Sequence, residues 1–151
     1  MAVNQAPIYT GTPKRGKNVW LPATTANVKN DGTGTIATDM LLIQTAGANG
    51  AYINKVRLNP QAGTAATATT ATVARIYIST QASGATTNAN TNLFAEVACP
   101  AQTADQTTTG TNFIDIPVGI ALAANETLLF SMHHAAAANT SWGIQSFGGD
   151  Y

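Results

Sequence analysis

The sequence predicts a single all-β domain, an antiparallel β-sandwich of about eight strands preceded by an extended N-terminal arm. Three observations point there. Ile and Val together number 17 against 8 Leu, and 24 Thr add further β-branching, a bias that suits pleated strands rather than helices. Short apolar runs alternate with Gly, Pro, Asn and Thr clusters at sandwich spacing. No stretch repeats its apolar residues with a helical period, and only the alanines at 135–138 could form one short turn.

Residues 1–18 read as the arm, and residues 19–151 as the sandwich. The arm holds Pro7, Gly11, Pro13 and Gly16 together with Lys14, Arg15 and Lys17, three of the seven positive charges. Pro lacks a backbone donor and Gly opposes regular structure, so the segment should run extended over a surface. It is either a tether that threads onto a partner or a frayed terminus. Trp20, within Val19-Trp20-Leu21, favours the tether because it can anchor the arm at its root.

Met40-Leu41-Leu42-Ile43-Gln44-Thr45 is a continuous apolar run, predicting a central strand covered on both faces. Asn49-Gly50 then signals a hairpin. In Ala51 to Leu58 the alternation sets Ile53, Lys55 and Arg57 on one face and Tyr52, Val56 and Leu58 on the other, until Asn59-Pro60 ends the strand. Thr72 to Ser79 alternates with Ala74, Ile76 and Ile78 inward and Val73, Arg75 and Tyr77 outward. Leu93 to Ala98 forms the next strand. Ile114, Ile116 and Val118 share a face, and Pro117 on the opposite phase marks an edge strand. A turn from Gly119 leads back into Thr127 to His134, where Leu128, Phe130 and Met132 point inward. The last strand, Thr140 to Phe147, offers Trp142 and Ile144 to the core. Three Ala- and Thr-rich loops, residues 62–71, 81–92 and 101–111, are long enough to suggest either packing between subunits or tolerated insertion.

Composition narrows the function. Charged residues make up 9% of the 151 positions and the net charge is zero, against roughly 25% charged in a typical soluble protein. A disordered chain needs more charge and less hydrophobicity. A general nucleic-acid binder needs a basic excess to release counterions. Ala, Thr and Asn fill 65 of 151 positions, a neutral surface that suits life against other protein surfaces or is simply a solvated, hydroxyl-rich one. The N-terminus has no basic region followed by an apolar core, and no apolar run approaches the ~18 residues of a membrane span. The expectation is a chain made in a cytoplasm that stays soluble or assembles there.

No catalytic, cofactor-binding or metal-binding residues are expected. Cys99 is the only cysteine, so it forms no intrachain disulfide and reads as a small buried hydrophobe. His133 and His134, taken as strand neighbours, should face apart and so not share a metal. The carboxylates are scattered, the serines sit in no nucleophile elbow, and Gly32-Thr33-Gly34 lacks the Lys and helix of a phosphate cradle. Tyr77, Trp142 and Tyr151 could stack on sugars, with the core as the alternative for Trp142.

Several stretches carry a resemblance. They are Gly11-Thr12-Pro13-Lys14-Arg15-Gly16-Lys17-Asn18-Val19-Trp20, Asn27-Val28-Lys29-Asn30-Asp31-Gly32-Thr33-Gly34, Met40-Leu41-Leu42-Ile43, Val73-Ala74-Arg75-Ile76-Tyr77-Ile78, Leu93-Phe94-Ala95-Glu96-Val97 and the final Gly148-Gly149-Asp150-Tyr151. Together they look like small virion proteins of tailed bacteriophages, similar to the jelly-roll decoration, or cement, proteins of capsid shells. The motifs are structural rather than chemical. The resemblance implies a jelly-roll sandwich on the outer surface of the virion, bound to the major capsid protein and to copies of itself as a dimer or trimer. It implies no cofactor, no nucleic acid and no membrane. Lys14, Arg15 and Lys17 would meet acidic or backbone acceptors on the shell, with Trp20 fixing the root of the arm. The alternative is a tail or baseplate component that binds a host carbohydrate.

Overall fold

The computed structural model describes residues 11–15, 19–21, 27–62, 67–105 and 113–151. Among them are thirteen strand segments, four of which are two-residue ribbons outside the two main sheets. In chain order these are β1 (Thr12–Arg15), β2 (Val19–Leu21), β3 (Gly34–Thr35), β4 (Leu41–Thr45), β5 (Ala51–Ala62), β6 (Thr67–Ala68) and β7 (Thr72–Ser79). They continue as β8 (Ala85–Thr86), β9 (Thr91–Cys99), β10 (Thr103–Ala104), β11 (Ile114–Leu122), β12 (Thr127–Met132) and β13 (Thr140–Asp150). All of their pairings are antiparallel. The first sheet runs β1-β13-β5-β11, with β2 joining the same edge of β13 as β1 but further along it; the second runs β4-β12-β7-β9. The molecule is an all-β sandwich.

The inward faces of the two sheets share one core that includes Ile43, Ile53, Leu58, Ile76, Phe130 and Trp142. Leu128, Phe130 and Met132 point into it from β12, as their alternation predicts, and Trp142 and Ile144 meet them from β13. Trp142 is fully buried. β11 is indeed an edge strand, with Pro117 exposed on it. It does not turn back at Gly119, however. That residue takes a left-handed φ of 59° at a register irregularity between Pro117 and Ile120, and pairing with β5 resumes through Leu122.

Three other expectations change. β4 lies at a sheet edge, not in the centre. It is covered on both faces all the same, because Leu41 and Ile43 join the main core while the neighbouring Met40, with Leu42 beside it, belongs to a second apolar cluster. Asn49-Gly50 does close a turn, with Gly50 donating to Gly47 O at 3.0 Å, but the turn carries the chain from one sheet to the other. In β5 the strict alternation breaks. Phe147 of β13 pairs with Lys55 and Gly148 with Ile53, so Asn54 is an extra residue. This bulge puts Ile53 in phase with Val56 and Leu58 in the core and turns Lys55 and Arg57 outward. Gly148 permits it, since a Cβ there would collide with Tyr52 O.

Residues 27–40 form a strap over the outer face of the second sheet. Asn27 N donates to Met132 O at 2.8 Å, β3 pairs with β8, and Ile36 and Met40 cluster with Tyr77 and Leu129. Arg75 and Tyr77 do point away from the main core, but both are buried beneath this strap. The low-complexity segments also find partners within the chain: β6 pairs with β10 and β8 with β3.

Candidate partner-binding surface

The outer face of the first sheet is built by cross-strand rows. Antiparallel partners directly opposite one another project to the same side. Arg15 stands opposite Phe147, Phe147 opposite Lys55, and Lys55 opposite Pro117. One row along, Gln145 stands opposite Arg57 and Arg57 opposite Asp115.

Asp115 organises the cations. Its Oδ1 accepts from Arg57 Nε at 2.6 Å, its Oδ2 from Arg57 Nη2 at 2.8 Å, and Oδ2 also accepts from Lys55 Nζ at 2.7 Å. The two-pronged Arg57 bond gives fixed geometry as well as attraction. The hydrogen bonds from Arg57, followed by those from Lys55, hold the Asp115 carboxyl well below the usual carboxylate range. The same pairing raises the pKa of Arg57. Aromatic rings complete the surface. Arg57 Cζ lies 3.8 Å from the centre of the Phe113 ring, and Lys55 Nζ lies 5.4 Å from that of Phe147, both cation–π contacts. Phe113 is nevertheless 53% exposed, and Tyr52 is exposed on the same strand as Lys55.

The residues predicted for the arm divide. Lys14 turns onto its own chain, where its Nζ donates to Thr45 O and to Asp150 Oδ2, each at 2.9 Å. Asp150 Oδ1 in turn accepts from Gly47 N at 3.2 Å, so Lys14 ties β1 and the last strand to the turn between β4 and β5. Arg15 is exposed and has no ion pair among the described residues. It helps to line a depression of about 450 Å3 together with Pro13, Lys14, Phe147 and Gly148. Trp20 lies in β2 with its backbone opposite Gly143. Lys17, like residues 1–10, lies outside the described residues. Lys55, Arg57, Phe113, Asp115 and Phe147 are the members that sequence reasoning missed. The signal is Lys55-x-Arg57 alternating with Val56 and Leu58 beside an edge strand that carries one carboxylate, but which strands flank β5 is not written locally.

Compared with known proteins, the chain matches no family model and no curated protein.

Among the described residues, no group of three His, Cys, Asp or Glu side chains is disposed to hold a metal ion. His133 and His134 do not face apart, because β12 ends at Met132 and strand alternation stops there. Their rings meet edge to face with centroids 4.5 Å apart. Cys99 is buried, and burial pushes its thiol up to about 11, which keeps it protonated at neutral pH.

Proposed function

We propose that this chain is a structural protein of a bacteriophage particle, a decoration protein that binds the assembled capsid shell from outside and stabilises it. The observation that carries the reading is strand order. With β1 and β2 counted as one position and the short ribbons set aside, the sandwich positions numbered along the chain run 1-8-3-6 in one sheet and 2-7-4-5 in the other. That order supports a jelly-roll arrangement of two interlocked Greek keys, in keeping with the sequence resemblance to jelly-roll decoration proteins. Stabilisation follows from mass action: a protein that binds only the assembled geometry shifts the equilibrium toward the shell. The partners in this reading are the major capsid protein and further copies of the chain, and no cofactor takes part.

Quantitative mass spectrometry of purified particles tests this. A decoration protein is present in numbers comparable to the major capsid protein and leaves the shell less resistant to heat when stripped away. A few copies per particle would assign the chain to the tail or baseplate instead. Absence from particles would overturn the reading.

A further inference from the structure

We propose that the outer face of the first sheet is a docking surface for an acidic polypeptide segment, centred on Arg15, Phe147, Lys55, Arg57 and Phe113. The inference rests on the reading of the chain as a protein-binding component and names the chemistry of the partner's contact.

Charge makes the first argument. Among the described residues, Arg15, Lys55 and Arg57 project from this face against the single carboxylate of Asp115. The face carries a surplus of two positive charges in a chain whose net charge is zero. A partner of opposite sign gains in encounter rate and in register, and one of like sign is rejected. The surplus also argues against a second copy docking through the same face, since a two-fold interface would set like surpluses against each other.

Residue type makes the second argument. Arg and aromatic side chains dominate the binding energy of protein interfaces, and this face presents Arg15, Arg57, Phe113 and Tyr52. Asp115 fixes Arg57 by two bonds and Lys55 by one, so little side-chain freedom remains to be lost on binding. Arg57 keeps one terminal nitrogen, Nη1, outside its bonds to Asp115, and Arg15 has no ion pair among the described residues. An incoming carboxylate therefore has donors on both sides of the Phe147 ring, with the depression beside Arg15 and Phe147 to receive it.

The test uses the full chain and a labelled peptide of alternating glutamate and phenylalanine, with fluorescence anisotropy as the readout. Its lysine–phenylalanine counterpart, an oligogalacturonate and a single-stranded DNA oligomer serve as competitors. The acidic peptide should bind in preference to all three, and more weakly as salt rises. Arg15→Glu and Phe113→Ser, both at exposed positions, should each weaken it by roughly tenfold. Equal binding of the lysine peptide, absence of binding, or indifference to both substitutions overturns the proposal. Tighter competition by the oligogalacturonate or the DNA oligomer overturns it in favour of an acidic sugar or a nucleic acid. The outcome is separable from the particle experiment. Abundant copies on particles without peptide binding reject this face alone, whereas peptide binding without particle copies rejects the shell reading.

Discussion

The two sheets treat their outer faces in opposite ways. Each carries an outward arginine paired to a carboxylate on the neighbouring edge strand: Arg57 with Asp115 on the first sheet and Arg75 with Glu96 on the second. The Arg75 side chain is 7% exposed and that of Arg57 is 28%. Over Arg75 lies the strap, which offers Asn27 O and Lys29 O to Nη1 at 2.8 and 3.1 Å. Tyr77 sits beside it, accepting from Ser131 at 3.2 Å and donating to Lys29 O at 3.3 Å. Over Arg57, among the described residues, lie the Phe113 ring, itself half exposed, and at 5.8 Å that of Phe147. The same pair of residue types thus fastens a loop on one side and is left facing outward on the other. One face is closed by the chain's own backbone, and the other keeps donors and aromatic area exposed.

The largest effect should come from breaking the closed side. Arg75→Ala strips a buried charge from Glu96, leaves Asn27 O without its side-chain donor and leaves Lys29 O with Tyr77 alone. The expected loss is about 3 kcal/mol, toward the low end for a broken buried pair because Glu96 is partly solvated. Urea unfolding midpoints measure it. A loss no larger than that of Arg57→Ala would erase the contrast between the faces.

Next in size is Gly148→Ala. A Cβ at this position meets Tyr52 O, so the bulge that turns Lys55 and Arg57 outward must shift, at a cost of about 2 kcal/mol. In the same variant, binding to the open face should fall more than stability does, because the register of the cations moves. Unfolding together with peptide anisotropy checks this, and unchanged binding would show that the bulge does not set the surface.

Arg57→Ala should cost less than either of these, as expected for a solvent-screened ion pair. Its pH dependence has a defined sign. The carboxyl of Asp115 is depressed in the folded state from an ordinary value of 3.8, so its stabilising contribution is fully present above that value. The contribution is lost as pH falls through the lower folded value. Asp115→Asn should therefore lower stability at neutral pH and flatten the acid limb below about pH 4, the two chains converging as pH falls. An acid limb identical to that of the unmodified chain would remove Asp115 from the account.

Much of the sandwich is legible in the sequence wherever alternation is unbroken. Leu128, Phe130 and Met132 in β12 and Trp142 and Ile144 in β13 mark their inward faces, and Pro117 marks an edge. Legibility fails where register depends on a distant strand. Nothing local to Asn54 signals that β13 will pair past it, so Tyr52 and Ile53 read one face out of phase, while Lys55 and Arg57 keep their place opposite Val56 and Leu58. The outward phase of Arg75 and Tyr77 is readable, but their burial is not, because the strap that covers them is a polar stretch more than thirty residues upstream. Asn49-Gly50 shows where the chain turns without showing that the next strand enters the opposite sheet. Arg15 is exposed, as its charge and position in the sequence suggest. Lys14, with the same signature, is committed to Asp150 at the far end of the chain.

Hydroxyl-radical footprinting of the chain, free and bound to its purified particles, tests most directly whether the open face meets the partner while the closed face does not. The two faces supply matched probes: Phe113 and Tyr52 on the first sheet, and Val28 on the strap with Phe94 on β9 of the second. Oxidation of Phe113 and Tyr52 should fall on binding while Val28 and Phe94 react as in the free chain. Protection of Val28 and Phe94 with Phe113 and Tyr52 unchanged would contradict the account and move the partner to the other side of the sandwich.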